Sequence, residues 1–306
     1  MADLRVDLAG IQFKNPVCVS SGTCGYGREL NEFYDISRLG GIFAKGTTIT
    51  PRMGNPLPRI AETPSGLINA VGLENPGIEK VISTELPWLV SHDLCVFQNI
   101  AGNTAEEYAY ICERLDEVKG LKGIELNVSC PNVNNGLSLG STPEDAYEVV
   151  SKCRRRTKLP LFVKLTPNVT DISVIVKAVE DAGADAITVM NTMIGMTIDI
   201  ERKKPLLGNT MGGLCGPATF PVALRMTYQV AQLTKLPIVG VGGIASTDDA
   251  IAFFMAGANA IAVGTGNLVT PMLTMELIDG ISEWLDRHNY NSVNDIVGVA
   301  LPSGKR

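Results

Sequence analysis

Eight short apolar runs, separated by helix-like segments, constrain this chain more than any other feature. They are Pro16–Gly22, Ile42–Thr47, Leu94–Gly102, Gly123–Asn132, Leu159–Pro167, Ala186–Thr192, Ile238–Ile244 and Ala260–Gly266. Each is a run rather than an apolar/polar alternation, as expected of parallel strands buried on both faces. The segments between them carry helix signals. Thr104 with Glu107 reads as a capping box. Thr142 stands before Pro143, a cap followed by proline at the first helical position. Asp171 opens a helix whose Ile172, Ile175, Val176 and Val179 share one face, and Gly183 closes it. Ser246 or Thr247 caps the next-to-last helix. Eight alternations point to an α/β fold, a closed (β/α)8 TIM barrel, with an open doubly wound sheet as its competitor.

The 306 residues, 45% of them hydrophobic, suit one barrel domain spanning 1–306. Residues 4–13 read as a small hairpin ahead of it. Two stretches exceed the bare repeat, Ile49–Gly77 and Met193–Pro217. Both leave from strand C-termini, the face where barrel active sites form, and long loops in compact domains tend to be functional.

Charge excludes several classes. With 26 basic and 32 acidic residues the net charge is −6, which argues against nucleic acid as a partner. The one basic cluster, Lys152 to Lys158, reads as a solvated helix end. Met1 to Arg5 run straight into a strand pattern without a signal-peptide core. No apolar run reaches the ~18 residues of a membrane span. The expectation is a soluble cytoplasmic protein with no membrane association. Seven cysteines, none spaced C-x-x-C, argue against a disulfide framework and against a zinc or iron–sulfur site in this chain. Most read as inert core residues. His92 and His288 fall near helix C-termini, where a structural role is the default. No metal site is expected.

The strand ends carry the chemistry. They read Ser20-Ser21-Gly22, Lys45-Gly46-Thr47, Asn99, Asn127-Val128-Ser129-Cys130, Lys164, Asn191-Thr192, Gly242-Gly243 and Gly264-Thr265. In a barrel these converge on a pocket rich in amides, hydroxyls and two lysines, with little carboxylate. Such a lining suits a neutral or anionic planar ligand, not a metal hydrolase or a two-carboxylate glycosidase. The glycine turns of the last two strands read either as tight turns or as a phosphate cradle. No G-x-G-x-x-G is present, so a barrel-held flavin mononucleotide fits better than a Rossmann nicotinamide site. Cys130 ends the fourth run between Ser129 and Pro131. Position alone leaves base, nucleophile and buried structural cysteine open, and a cation such as Lys45 would lower its pKa. The polar stretch Val133 to Ser141 reads as a lid.

Taken together, Phe43-Ala44-Lys45-Gly46-Thr47-Thr48, Gly54-Asn55-Pro56, Asn69-Ala70-Val71-Gly72-Leu73, Asn127-Val128-Ser129-Cys130-Pro131-Asn132 and Asn191-Thr192-Met193-Ile194-Gly195-Met196 resemble the class 1B dihydroorotate dehydrogenases over nearly the whole chain. The resemblance implies oxidation of (S)-dihydroorotate to orotate in pyrimidine (UMP) biosynthesis, with Cys130 as base at C5 and hydride passing from C6 to FMN. It implies substrate contacts from Lys45, Asn69, Ala70, Val71, Gly72, Leu73, Asn127, Asn191 and Thr192. It implies FMN contacts from Ser21, Lys45, Gly46, Asn99, Asn127, Lys164, Met190, Gly216, Gly242, Gly243, Gly264 and Thr265. Lys164 would face the flavin pyrimidine and stabilise the anionic reduced ring. The implied partner is a subunit carrying FAD and a [2Fe–2S] cluster that reduces NAD+, in a heterotetramer of two catalytic and two electron-transfer subunits.

The chain departs from the pattern at Leu214–Pro221. Cys215 stands where the family more often has Ser, and Thr219-Phe220 where it has Ile-Lys. Three rivals remain. They are the class 1A fumarate-linked homodimer, a flavin-free barrel enzyme with a phosphorylated substrate, and a non-enzymatic scaffold.

Overall fold

The computed structural model describes residues 1–129 and 138–302. Eight parallel strands close into a barrel. In chain order they are β1 (Val17–Val19), β2 (Gly41–Thr47), β3 (Cys95–Ile100), β4 (Gly123–Asn127), β5 (Leu161–Lys164), β6 (Ala186–Val189), β7 (Ile238–Val241) and β8 (Ala260–Val263). β8 pairs with β1, which closes the ring and rules out the open sheet. The strands are shorter than the apolar runs, because the polar ends of those runs leave the ladder at the barrel mouth.

Helices return the chain between strands. Ala105–Asp116, Pro143–Arg154, Ile172–Asp181, Phe220–Ala231, Thr247–Met255 and Leu273–Arg287 are regular. Thr142 Oγ1 accepts from the Asp145 amide, and the Ser246 side chain from the Asp249 amide. Asp171 caps its helix, and Gly183 follows the end with φ +96°. The reading of Thr104 needs one correction. Its side chain accepts from the Glu107 amide, but the Glu107 carboxylate reaches past it to the Asn103 amide, so the box is shifted by one donor. The first two connections also depart from the repeat. β1 is followed only by 3-10 turns, Leu30–Glu32 and Ile36–Arg38. After β2 the helical run 78–89 has a π-helical middle, Val81–Glu85.

The ladder register shows which side chains point inward, since neighbouring residues alternate between faces. Phe43, Phe97 and Phe162 fill the N-terminal half of the barrel. The Phe97 ring lies 4.8 Å from Phe43 and 4.7 Å from Phe162. The hairpin Val6–Leu8/Ile11–Phe13 forms as expected and sends Phe13 onto Phe97 at 5.7 Å. Gly123 makes room for this stack, because a Cβ there would sit 3.0 Å from the Phe97 ring.

The two long excursions are not separate loops. Ile60–Thr63 and Gly66–Asn69 from the first, and Met193–Met196 and Met211–Cys215 from the second, form one four-stranded antiparallel sheet. Ala61, Ile68 and Leu207 are buried in a small core of its own. The basic cluster from Lys152 to Lys158 sits at the end of helix Pro143–Arg154, as its charge pattern implied, with its first residues partly buried. Lys152 pairs with Glu106 and Glu148, Arg154 with Asp185, and Arg156 with Glu113.

Candidate active site

The inward positions near the strand C-termini are Ser20, Lys45, Asn99, Asn127 and Lys164, on five successive barrel strands. Lys164 is 5% exposed, and its Nζ donates to Ser20 Oγ at 3.3 Å. Lys45 is half-buried. Burial pushes its ammonium pKa down, partly opposed by the Glu74 carboxylate. Neither lysine has a carboxylate within ion-pair distance among the described residues. A buried cation is costly without a counter-charge, so both are set to meet an anion.

The amides are locked by one another. Asn127 Oδ1 accepts from Asn191 Nδ2 at 2.9 Å and from the Ser129 amide at 3.3 Å. Asn191 Oδ1 accepts from the Thr192 amide at 2.8 Å. The Asn127 carbonyl accepts from Tyr108 Oη at 2.6 Å, and the Met190 amide donates to the Val241 carbonyl. Asn168 was missed by the sequence reading. It donates to the Thr192 carbonyl and accepts from the Ile194 amide, pinning the start of the second excursion. Only its place just past β5 could have flagged it.

Glu125 was also missed, and it adds one buried carboxylate to a lining expected to hold little. It points inward from β4, is 1% exposed, and accepts from Asn99 Nδ2 and from Ser21 Oγ. A glutamate inside the apolar run 123–128 was the available signal.

The added sheet brings the remaining candidates together. Asn69 Nδ2 donates to the Gly213 carbonyl at 3.2 Å and to Cys215 Sγ at 3.6 Å. A Cβ at Gly213 would lie 2.1 Å from Thr192 Oγ1, so the two excursions meet at Asn69 and Thr192. The turn from Ala70 to Leu73 is held from both sides. The Asn55 amide donates to the Val71 carbonyl, Asn55 Nδ2 to the Ala70 carbonyl, and Asn75 Nδ2 to the Leu73 carbonyl. Gly72 (φ +77°) and Leu73 (φ +53°) turn the chain there.

The glycines divide. Gly242 (φ +135°) and Gly243 (φ +74°) are required by the fold. A Cβ would lie 2.7 Å from Ala223 Cβ at the first and 2.6 Å from the Phe220 amide nitrogen at the second. Gly216 (φ +93°) packs on Gly66 Cα. Gly264 is different. The atoms nearest its missing Cβ are on Ser20 and Thr23 at 3.9 Å, so packing does not demand glycine there. Thr265 beside it is buried. At the departures from the family pattern, Cys215 donates to the Leu67 carbonyl, Thr219 Oγ1 to the Gly216 carbonyl, and Phe220 packs edge-on against Phe253.

Cys130 lies outside the described residues, as do 131–137, which include 133–137 of the expected lid. On either side of them, Val128 is tied to the returning chain, its carbonyl accepting from Ser138 Oγ at 2.6 Å and from the Gly140 amide at 2.7 Å. Burial pushes the thiols of Cys18, Cys24, Cys95 and Cys112 up, Cys24 to about 12 and Cys95 to about 11, which fits the inert core role expected of them. His92 and His288 each place Nδ1 on a carbonyl four residues back, Trp88 and Trp284, and are structural. Among the described residues no cluster could hold a metal ion, and no helix is long and apolar enough to cross a membrane.

A closed (β/α)8 barrel with its polar groups gathered at the strand C-termini, two lysines among them, defines a barrel enzyme that works on a small ligand at its mouth. The chain belongs to the dihydroorotate dehydrogenase family, whose model matches residues 3–285. It is 48% identical over 298 residues to the dihydroorotate dehydrogenase B (NAD(+)) catalytic subunit of Pelobacter propionicus, covering 97% of this chain and 98% of that protein. The protein of the same name from Thermoanaerobacter pseudethanolicus is 48% identical over 297 residues, with the same coverage. That of a Geobacillus strain is 45% identical over 307 residues, covering 100% of this chain and 98% of the relative.

Proposed function

We propose that this chain is the dihydroorotate-oxidising subunit of a class 1B enzyme, converting (S)-dihydroorotate to orotate in cytoplasmic pyrimidine synthesis with NAD+ as final acceptor. The observation that supports it most directly is Lys164 together with Lys45, inward lysines with no carboxylate at ion-pair distance among the described residues. The relatives described above all bear the NAD(+) name, which favours this reading over the fumarate-linked homodimer.

The resident cofactor of this reading is FMN, and the chain's residues fit it. Asn99 Oδ1 is buried without a partner among the described residues, and Gly46 beside it leaves the space a Cβ would fill. Open space at Gly264 allows close approach of a ligand to backbone. Ser21, Lys45, Gly46, Asn99, Asn127, Lys164, Met190, Gly216, Gly242, Gly243, Gly264 and Thr265 would hold it, the last four around its phosphate. When bound, FMN supplies the hydride acceptor. Asn69–Leu73, Asn127, Asn191 and Thr192 bind the planar substrate through amide and hydroxyl groups, and Lys45 faces its charge. Cys130 takes the C5 proton as general base.

Electrons leave through a partner subunit carrying FAD and a [2Fe–2S] cluster, in a heterotetramer of two catalytic and two electron-transfer subunits. Exposed apolar side chains on and beyond the added sheet, Ile60, Ile194, Met196, Ile198, Ile200 and Met211, support subunit contact on that side. Anaerobic titration of the purified chain with dihydroorotate tests the core of the proposal. Bleaching of the flavin absorbance is expected. A correctly folded, colourless chain that takes up no FMN would sink it.

A further inference from the structure

Glu125 has no part in the roles above, yet it is the inward carboxylate beneath them. A buried carboxylate is tolerated only where donors satisfy it. Here the donors are Asn99 Nδ2 and Ser21 Oγ, the latter at 3.2 Å, and both side chains belong to the proposed cofactor set. A carboxylate offers acceptors alone, so it dictates which end of the Asn99 amide faces it. The NH2 group must turn toward Glu125, and Oδ1 must turn away.

That Oδ1 is buried and has no partner among the described residues. It lies beside Gly46, where a Cβ would come within 2.8 Å of it. Gly46 falls where the β2–β3 register shifts, between Ala44 and Thr47. The barrel therefore keeps a fixed acceptor open at a spot where its neighbouring strand carries no side chain. Leaving such a group unmatched is costly, so a ligand donor is the natural complement.

We infer that Glu125 is a positioning residue. It holds the Asn99 amide in one orientation, so that the pocket presents an acceptor, and selects a ring edge that carries an N–H. The inference rests on the flavin reading, and the test separates the two.

FMN binding to the apoprotein is titrated by flavin fluorescence for wild type, Glu125→Gln, Asn99→Ala and the double variant, with far-UV circular dichroism as the folding control. Glu125→Gln replaces the carboxylate by an amide that also donates, which frees Asn99 to turn over. FMN binding should weaken by roughly tenfold, the scale of one charge-assisted hydrogen bond. If Glu125 acts through Asn99, the same substitution in the Asn99→Ala background should change binding by less than about twofold, since residues in one network are not additive.

Should the single Glu125→Gln variant not fold, comparison of the double variant with Asn99→Ala decides alone, because removing both partners leaves neither mismatched. An additive loss in that background overturns the inference, as does FMN affinity in Glu125→Gln equal to wild type. A folded wild-type apoprotein that takes up no FMN overturns the flavin reading and this assignment with it.

Discussion

At the residue scale, the thiols give a direct test of the cysteine proposed as base. Burial raises Cys24 to about 12 and Cys95 to about 11, and lifts Cys18 and Cys112 as well. The thiolate is the reactive form, so at pH 8 these four should resist iodoacetamide in the native protein. Cys95 should begin to label only as pH climbs toward 11. Cys130, proposed as base, should label first, and peptide mass spectrometry would rank them. Cys130→Ala should fold, bind FMN and slow flavin reduction by dihydroorotate ~10²–10⁴-fold in stopped-flow. Cys130→Ser should keep part of the rate, displaced to higher pH. Unchanged half-reaction kinetics would remove Cys130 from the mechanism. Lys45, Asn99, Asn127 and Lys164 were legible from sequence because they end apolar strands. Glu125 was not, because an interior glutamate within such a run reads as a surface residue until register shows which way it points.

At the scale of elements, local signals served the helices well and the added sheet poorly. Caps at Thr142, Asp171 and Ser246 are short-range chemistry and fall where the residues indicate. Thr142→Ala should therefore cost about 1 kcal/mol, visible as a lower urea midpoint. The pairing of Gly66–Asn69 with Met211–Cys215 joins residues nearly 150 positions apart, and nothing local encodes that register. Both segments are short, and Met211–Cys215 carries two glycines, which pack closely but leave no alternation to read. Gly213→Ala tests the junction, since the new methyl would collide with Thr192. It should raise KM for dihydroorotate at least tenfold while moving the melting temperature little. A normal KM would separate the sheet from substrate binding.

For the whole molecule, the eightfold count carried the barrel, and closure is what the count alone could not supply. An open sheet has the same period, and only the β8–β1 pairing distinguishes them. The proposed electron path is likewise a property of the assembly. The isolated chain should reduce its flavin with dihydroorotate yet reduce NAD+ only when the proposed iron–sulfur subunit is added, followed at 340 nm. Fumarate turnover by the chain alone would reverse that assignment.

Phe13 closes the far end of the barrel. Its ring, delivered by a hairpin that precedes the barrel, rests on Phe97 beneath the level of Glu125. It packs with Cys18 against Gly41, where a Cβ would lie 3.1 Å from the Phe13 ring and 3.3 Å from Cys18 Sγ. The hairpin thus acts as a gasket at the base of the barrel. Phe13→Ala should open a cavity beside Phe97 and cost about 3–5 kcal/mol, read as a lower urea midpoint.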